Sequence, residues 1–182
     1  TSNTQLVLDE VRVPDASVAA LFQQGRGMGT VLFWVCFFMC LLMVYALGSW
    51  LPKLMMAAGY SLGNSLMFLM AMNIGAVVGT IGGGILADRF HLKPVIIGMF
   101  LLGAVSLVGL GFNSPQAVIY LLVAAAGASA IGSSILLYSF VAQYYPLAIR
   151  STGIGCASAV GRVGAIVGPI IIGFLLGMEL PH

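Results

Sequence analysis

The stretch from Gly27 to Pro52, GMGTVLFWVCFFMCLLMVYALGSWLP, contains no charged residue. A run of about 20 predominantly apolar residues is long enough, as a helix, to cross a hydrocarbon core about 30 Å thick. Lys53 closes it, and a second uncharged run follows from Leu54 to Ala87. Asp88, Arg89 and Lys93 then precede a third run, Pro94 to Ile149, long enough for two crossings around the breaker-rich turn Gly111-Phe112-Asn113-Ser114-Pro115-Gln116. The last block, Ser151 to Met178, is interrupted by Arg162 alone. The pattern predicts an all-α integral membrane protein with five transmembrane helices near 29–52, 64–87, 94–112, 116–141 and 150–178.

Composition agrees. Hydrophobic residues make up 60% of the chain and charged residues 7%, and mean hydropathy is +1.10. Ordinary soluble domains are about 25% charged, so these residues could not cover a soluble surface. A net charge of +2 points to no nucleic-acid partner. The partner implied is the lipid bilayer.

Residues 1–26 form a different, polar segment holding Asp9, Glu10, Arg12, Asp15 and Arg26, with Pro14. It reads as a linker, with a short surface helix expected over Ala16–Gln24. It lacks the cationic start and short apolar core of a signal peptide. Because the chain begins without Met, further sequence is expected upstream. Placing this linker in the cytoplasm puts Arg12, Arg26, Arg89, Lys93 and Arg150 on that side and only Lys53 on the other, which satisfies the positive-inside bias. Five crossings then leave Glu179 outside, with a sixth span expected to be missing.

Enzyme chemistry has no foothold. Cys36, Cys40 and Cys156 lie in apolar helices and read as small apolar fillers. His91 and His182 are isolated, and no metal spacing, phosphate loop or activated nucleophile occurs. Neither a cofactor nor a metal is expected.

Four features bear on function. The first is the charged turn from Gly84 through Asp88 and Arg89 to Lys93, which fits either a latch between helices that move or an ordinary positive-inside loop. The second is glycine. Gly75-x-x-x-Gly79 and Gly164-x-x-x-Gly168, the latter followed by Pro169, have the small-residue spacing that lets membrane helices pack closely. Such faces suit static packing or a contact between transporter halves that rock. The third is Arg162, about 16 Å along its predicted helix. A cation there costs at least ~2.5–3.5 kcal/mol and needs protein, water or an anion beside it; a later helix start would let it snorkel to the edge instead. A guanidinium fork suits a carboxylate. The fourth is a set of polar and aromatic groups at membrane depth. Asn73 can bind a ligand or join helices. Trp34, Phe38, Leu41, Tyr45 and Ser49 share one face of the first helix, and Gly127, Ser134 and Tyr138 one face of the fourth. They can wall a pocket for a flat amphipathic solute, or simply face lipid and neighbouring helices. Trp50 and Tyr60 read as interfacial belt residues.

The charged turn resembles the G-x-x-x-D-R-x-x-[RK]-[RK] motif of the major facilitator superfamily. Gly84, Asp88, Arg89 and Lys93 match, and Leu92 stands where a basic residue is common. More specifically, Leu21-Phe22-x-x-Gly25-Arg26, Ser49-Trp50-Leu51-Pro52, Tyr145-Pro146-x-x-x-Arg150-x-Thr152-Gly153 and Gly161-Arg162-x-Gly164-x-x-x-Gly168-Pro169 resemble the C-terminal half of the aromatic acid:proton symporters, bacterial inner-membrane carriers of benzoate and hydroxybenzoates. The resemblance implies spans seven to eleven of a twelve-helix fold, with the N-terminal half as partner. It also implies alternating access and an aromatic carboxylate imported with H+. Arg162, Asn73, Tyr45, Tyr138, Ser134 and Phe38 are then candidates to meet the substrate. Asp88 and Arg89 take a conformational role, and a coupling acid is expected in the other half. The alternatives are a facilitator for a sugar, another organic acid or a drug, and a non-transporting sensor or assembly module.

Overall fold

A computed structural model describes residues 17–112 and 114–177. Arg12 and the acids of the first 16 residues, Asn113, Glu179 and His182 lie outside the described residues. A 3₁₀ turn at Val18–Phe22 precedes five helices: α1 (Gly27–Ala57), α2 (Leu62–Phe90), α3 (Leu92–Leu110), α4 (Gln116–Tyr144) and α5 (Leu147–Gly177). All five are long and apolar enough to cross a membrane. At about 1.5 Å per residue, α3 is roughly 29 Å long and the others exceed the hydrocarbon thickness.

The helix boundaries correct several expectations. Helix α1 runs through Pro52 rather than ending there. A proline inside a membrane helix frees one carbonyl, at Gly48, without unwinding the turn. The helix stops where Gly59 takes a φ of +91° and the Tyr60 N–H bonds back to Met55 O. Pro146 separates α4 from α5, so α5 begins at Leu147, three residues earlier than expected. The charged turn is not a loop. Gly84, Asp88 and Arg89 belong to the last turns of α2 and Lys93 to the first turn of α3. A single residue, His91, joins the two helices at φ +74°, a conformation a side chain rarely adopts.

Short joints make consecutive helices antiparallel, so α2 runs parallel to α4 and α1 parallel to α5. These two pairs are the tightest contacts. A Cβ on Gly75 would strike the Ala124 carbonyl, and one on Gly79 would lie 2.5 Å from the Ala128 Cα. In the other pair, a Cβ on Gly164 would strike the Phe38 carbonyl and one on Gly168 would lie 2.6 Å from Leu42 O. The glycines therefore serve seams inside this chain. Of the two roles the spacing left open, static packing and a contact between halves, these faces take the first. Trp50 adds to the α1–α5 seam. Its Nε1–H donates to Pro169 O at 2.9 Å, so it is a helix-to-helix bridge rather than only a belt residue. Tyr60 likewise packs edge-on against buried Phe68.

The two pairs meet through α1 and α4. Phe33 packs edge-on against Phe140, Phe37 against Tyr138, and Cys40 Sγ lies 3.3 Å from Ser133 Oγ. Helix α3 leans on the far side of α4, with Gly103 receiving Ser129. The 3₁₀ turn is no free surface helix. Leu21 is fully buried, and Phe22 meets Trp34 edge-on. Beneath it, Thr30 Oγ1 donates to Leu21 O (2.9 Å) or Arg26 O (3.1 Å). The Thr30 hydroxyl also lies 2.7 Å from the Tyr145 hydroxyl, where either can donate to the other. The linker, α1 and the α4–α5 joint are thus tied at one end of the bundle, called here the linker end.

Two outcomes follow for the full-length protein in detergent. Gly168→Val forces overpacking of about 1–3 kcal/mol and lowers the melting temperature by several degrees. Gly84→Ala, with nothing within 4 Å of its Cβ position, leaves it unchanged. Burial pushes the Tyr145 phenol above its ordinary value of 10.0, opposed by its bond to Thr30. The unfolded phenol therefore ionises first, and stability falls as pH rises from about 10 through the folded value. Tyr145→Phe removes that part of the alkaline loss in melting curves taken from pH 9 to 11.

Candidate functional site

Arg162 is the central residue of α5, with fifteen helical residues on each side. The earlier start of the helix places it farther from the helix N-terminus than the sequence spacing implied. It is exposed, while Gly161 and Gly164 beside it are buried against α1. The seam with α1 thus fixes the rotation of α5, and that rotation turns the guanidinium stem away from the packed core.

The neighbouring wall is α4. It meets α5 chiefly at the linker end, where Tyr145 lies against Gly153 and the Tyr138 hydroxyl donates to Ser158 Oγ at 3.2 Å. Ser158 is four residues before Arg162 and shares its face of the helix. Because α4 and α5 are antiparallel, the Tyr138–Ser158 contact sets their register and places Ser134 opposite Arg162. Ser134 is 8% exposed, and its hydroxyl donates to Ile131 O of its own helix at 2.7 Å. It can accept a further hydrogen bond, but its proton is engaged. The rest of this wall is apolar: Ile135 is exposed, and Phe37 sits edge-on to Tyr138 with centroids 4.7 Å apart.

The other predicted residues are not brought to this point. The Leu41 side chain packs into the α1–α5 seam against Gly161, and the Phe38 backbone lies against Gly164 while its ring is half-buried, so the first-helix stripe is not one continuous pocket wall. Tyr45 is half exposed. In the α1–α5 register it lies nine residues beyond the level of Arg162, roughly 13 Å along the axis. Asn73 is exposed, and its amide donates to Leu69 O within α2 at 2.8 Å, so it does not join two helices. With Thr80 and Ile131 it lines a separate hollow of about 390 Å³. The charged motif makes a third location. Asp88, Arg89, His91 and Lys93 line a cleft of about 660 Å³ with Ser139 and Gln143 of α4. Among the described residues no cluster of His, Cys, Asp or Glu could hold a metal ion.

The sequence reading missed Ser158. Its signal was available as the polar residue one helical turn from the lone arginine. The arrangement around Arg162 offers one permanent cation, two hydroxyls and an aromatic wall. Such a set matches a small solute with one anionic end and a flat apolar body.

Comparison with known proteins adds to this geometry. A family model described as the Major Facilitator Superfamily matches residues 33–180. The benzoate transport protein of Acinetobacter baylyi is 51% identical over 167 residues, covering 92% of this chain and 36% of the relative. The gentisate transporter of Corynebacterium glutamicum is 39% identical over 153 residues, covering 83% of this chain and 34% of the relative. The 3-(3-hydroxy-phenyl)propionate transporter of Escherichia coli is 36% identical over 161 residues, covering 87% and 40%. The chain thus spans little more than a third of the length of these relatives. No solved structure gives a significant match.

Proposed function

The chain belongs to the major facilitator superfamily, and we propose that its five helices form most of the C-terminal half of a carrier importing a benzoate-like carboxylate with protons. The observation that carries this reading is Arg162: a lone, exposed cation at the centre of a membrane helix, next to an aromatic wall. A permanent charge at that depth is tolerated when it faces protein, water or an anionic ligand. A guanidinium binds the two oxygens of a carboxylate through parallel hydrogen bonds. Ile135, exposed on α4, supplies apolar surface for a ring, while the fully buried Phe37 backs Tyr138 from inside the bundle. Similarity to carriers named for benzoate, gentisate and hydroxyphenylpropionate supports the same solute class.

Transport in this reading is alternating access between two halves around a central site. Arg162 is assigned to the anion and not to the coupled proton. Asp88, the acid among the described residues, stands at the end of α2 rather than beside Arg162. The coupling acid therefore belongs to the other half. Asp88, Arg89 and Lys93 act at the α2–α3 joint in holding one conformation. The carrier resides in a bacterial inner membrane with residues 1–26 in the cytoplasm. Because the aromatic wall of α4 offers hydroxyls but few amides, a sugar is a poorer fit.

The test is uptake of labelled benzoate by the full-length carrier in membrane vesicles, with and without an inward proton gradient. The wild type accumulates benzoate only with the gradient. Arg162→Gln at matched expression loses at least tenfold, the scale of a charge-assisted bond. Undiminished uptake by the variant would make Arg162 structural, and no uptake by the wild type would refute the substrate class.

A further inference from the structure

We propose that Ser158 is a second donor to the substrate carboxylate and that Tyr138 acts on the substrate only through Ser158, as a positioning residue. This rests on the reading of Arg162 as the carboxylate site.

The hydrogen-bond directions carry the inference. Tyr138 is the donor and Ser158 Oγ the acceptor in their 3.2 Å bond. The serine's own proton has no partner among the described residues. Across the contact, the buried hydroxyls of α4 are committed. Ser129 donates to Ala126 O at 2.9 Å, Ser133 to Ala130 O at 3.3 Å and Ser134 to Ile131 O at 2.7 Å. Ser158 differs because tyrosine holds one of its lone pairs, which restricts where its proton points.

Helix geometry then aims two donors at one place. Residues four apart on a helix have Cβ atoms about 5–6 Å apart. Side chains also lean toward the helix N-terminus, so the long Arg162 side chain reaches back over Ser158. A carboxylate bound there receives the guanidinium on one oxygen or both and the serine hydroxyl on the remaining lone pairs. Phe37, edge-on to Tyr138 at 4.7 Å, holds the phenol that orients Ser158. Tyr138, assigned to the substrate from its place in the sequence, is then a support rather than a contact.

The experiment is equilibrium binding of labelled benzoate to the purified full-length carrier. The wild type binds, and Ser158→Ala binds about tenfold more weakly, the scale of a hydrogen bond to a charged group. Ser158→Thr, which keeps the hydroxyl, stays within about threefold. Tyr138→Phe weakens binding less than Ser158→Ala does. In the double variant the Tyr138 change adds nothing further, because its effect passes through the missing serine. The inference is overturned if Ser158→Ala binds like the wild type, or if Tyr138→Phe weakens the Ser158→Ala protein by its full single-variant factor. Absence of benzoate binding by the wild type would overturn instead the substrate reading beneath it.

Discussion

The backbone of α5 lies against the backbone of α1 because Gly161, Gly164 and Gly168 leave almost nothing between them. In a bilayer this contact matters more than it would in water. Lipid tails are as apolar as leucine, so helices are not driven together by hydrophobicity; close van der Waals contact has to do it. The α2–α4 pair uses Gly75, Gly79 and Gly127 in the same way. Each seam allows little rotation, since turning either helix would bring a side chain into the other's backbone. The directions in which the few polar side chains point are consequences of these two seams.

Arg162 shows the dependence clearly. With Gly161 and Gly164 facing α1, the residue between them has to face outward from the seam. On that side α5 meets α4 through the Tyr138–Ser158 bond and the contact of Tyr145 with Gly153, both on the linker side of Arg162. The Thr30–Tyr145 bond ties that closed end to α1 and to the linker. A packing device, a polar bridge and an exposed cation thus follow one another along a single helix.

Much of this was legible in the sequence because the membrane imposes a simple rule. Long apolar blocks had to be spans, and the four blocks, one of them split by the turn at 111–116, became five helices. The ends were harder, since Pro52 was taken as a stop while the turn after it remained helical, and since the Asp88–Lys93 stretch looked like a loop although only His91 leaves the helix. The small-residue spacing identified the packing glycines, but a single chain cannot say which neighbour they meet. The site was half legible. Arg162 stood out because a charge in an apolar run is conspicuous. Ser158 did not, because a serine in a glycine-rich helix is ordinary until its partner across α4 is known. The two readings of the first-helix stripe stayed open because aliphatic and aromatic residues at helical spacing look the same whether they face a pocket or a seam; the structure places Leu41 in the seam.

The central claim is that the Arg162 face of α5 borders a water-accessible cleft rather than lipid. It is tested most directly by thiol labelling of the full-length carrier in membranes, with Cys36, Cys40 and Cys156 replaced and a single cysteine introduced as Arg162→Cys. A lipid-facing control is Leu101→Cys on the exposed side of α3. Thiols react as thiolates, which form in water and not in hydrocarbon. The account predicts that a charged, water-soluble thiol reagent labels position 162 readily and position 101 scarcely at all. Equal and negligible labelling at both positions would contradict it.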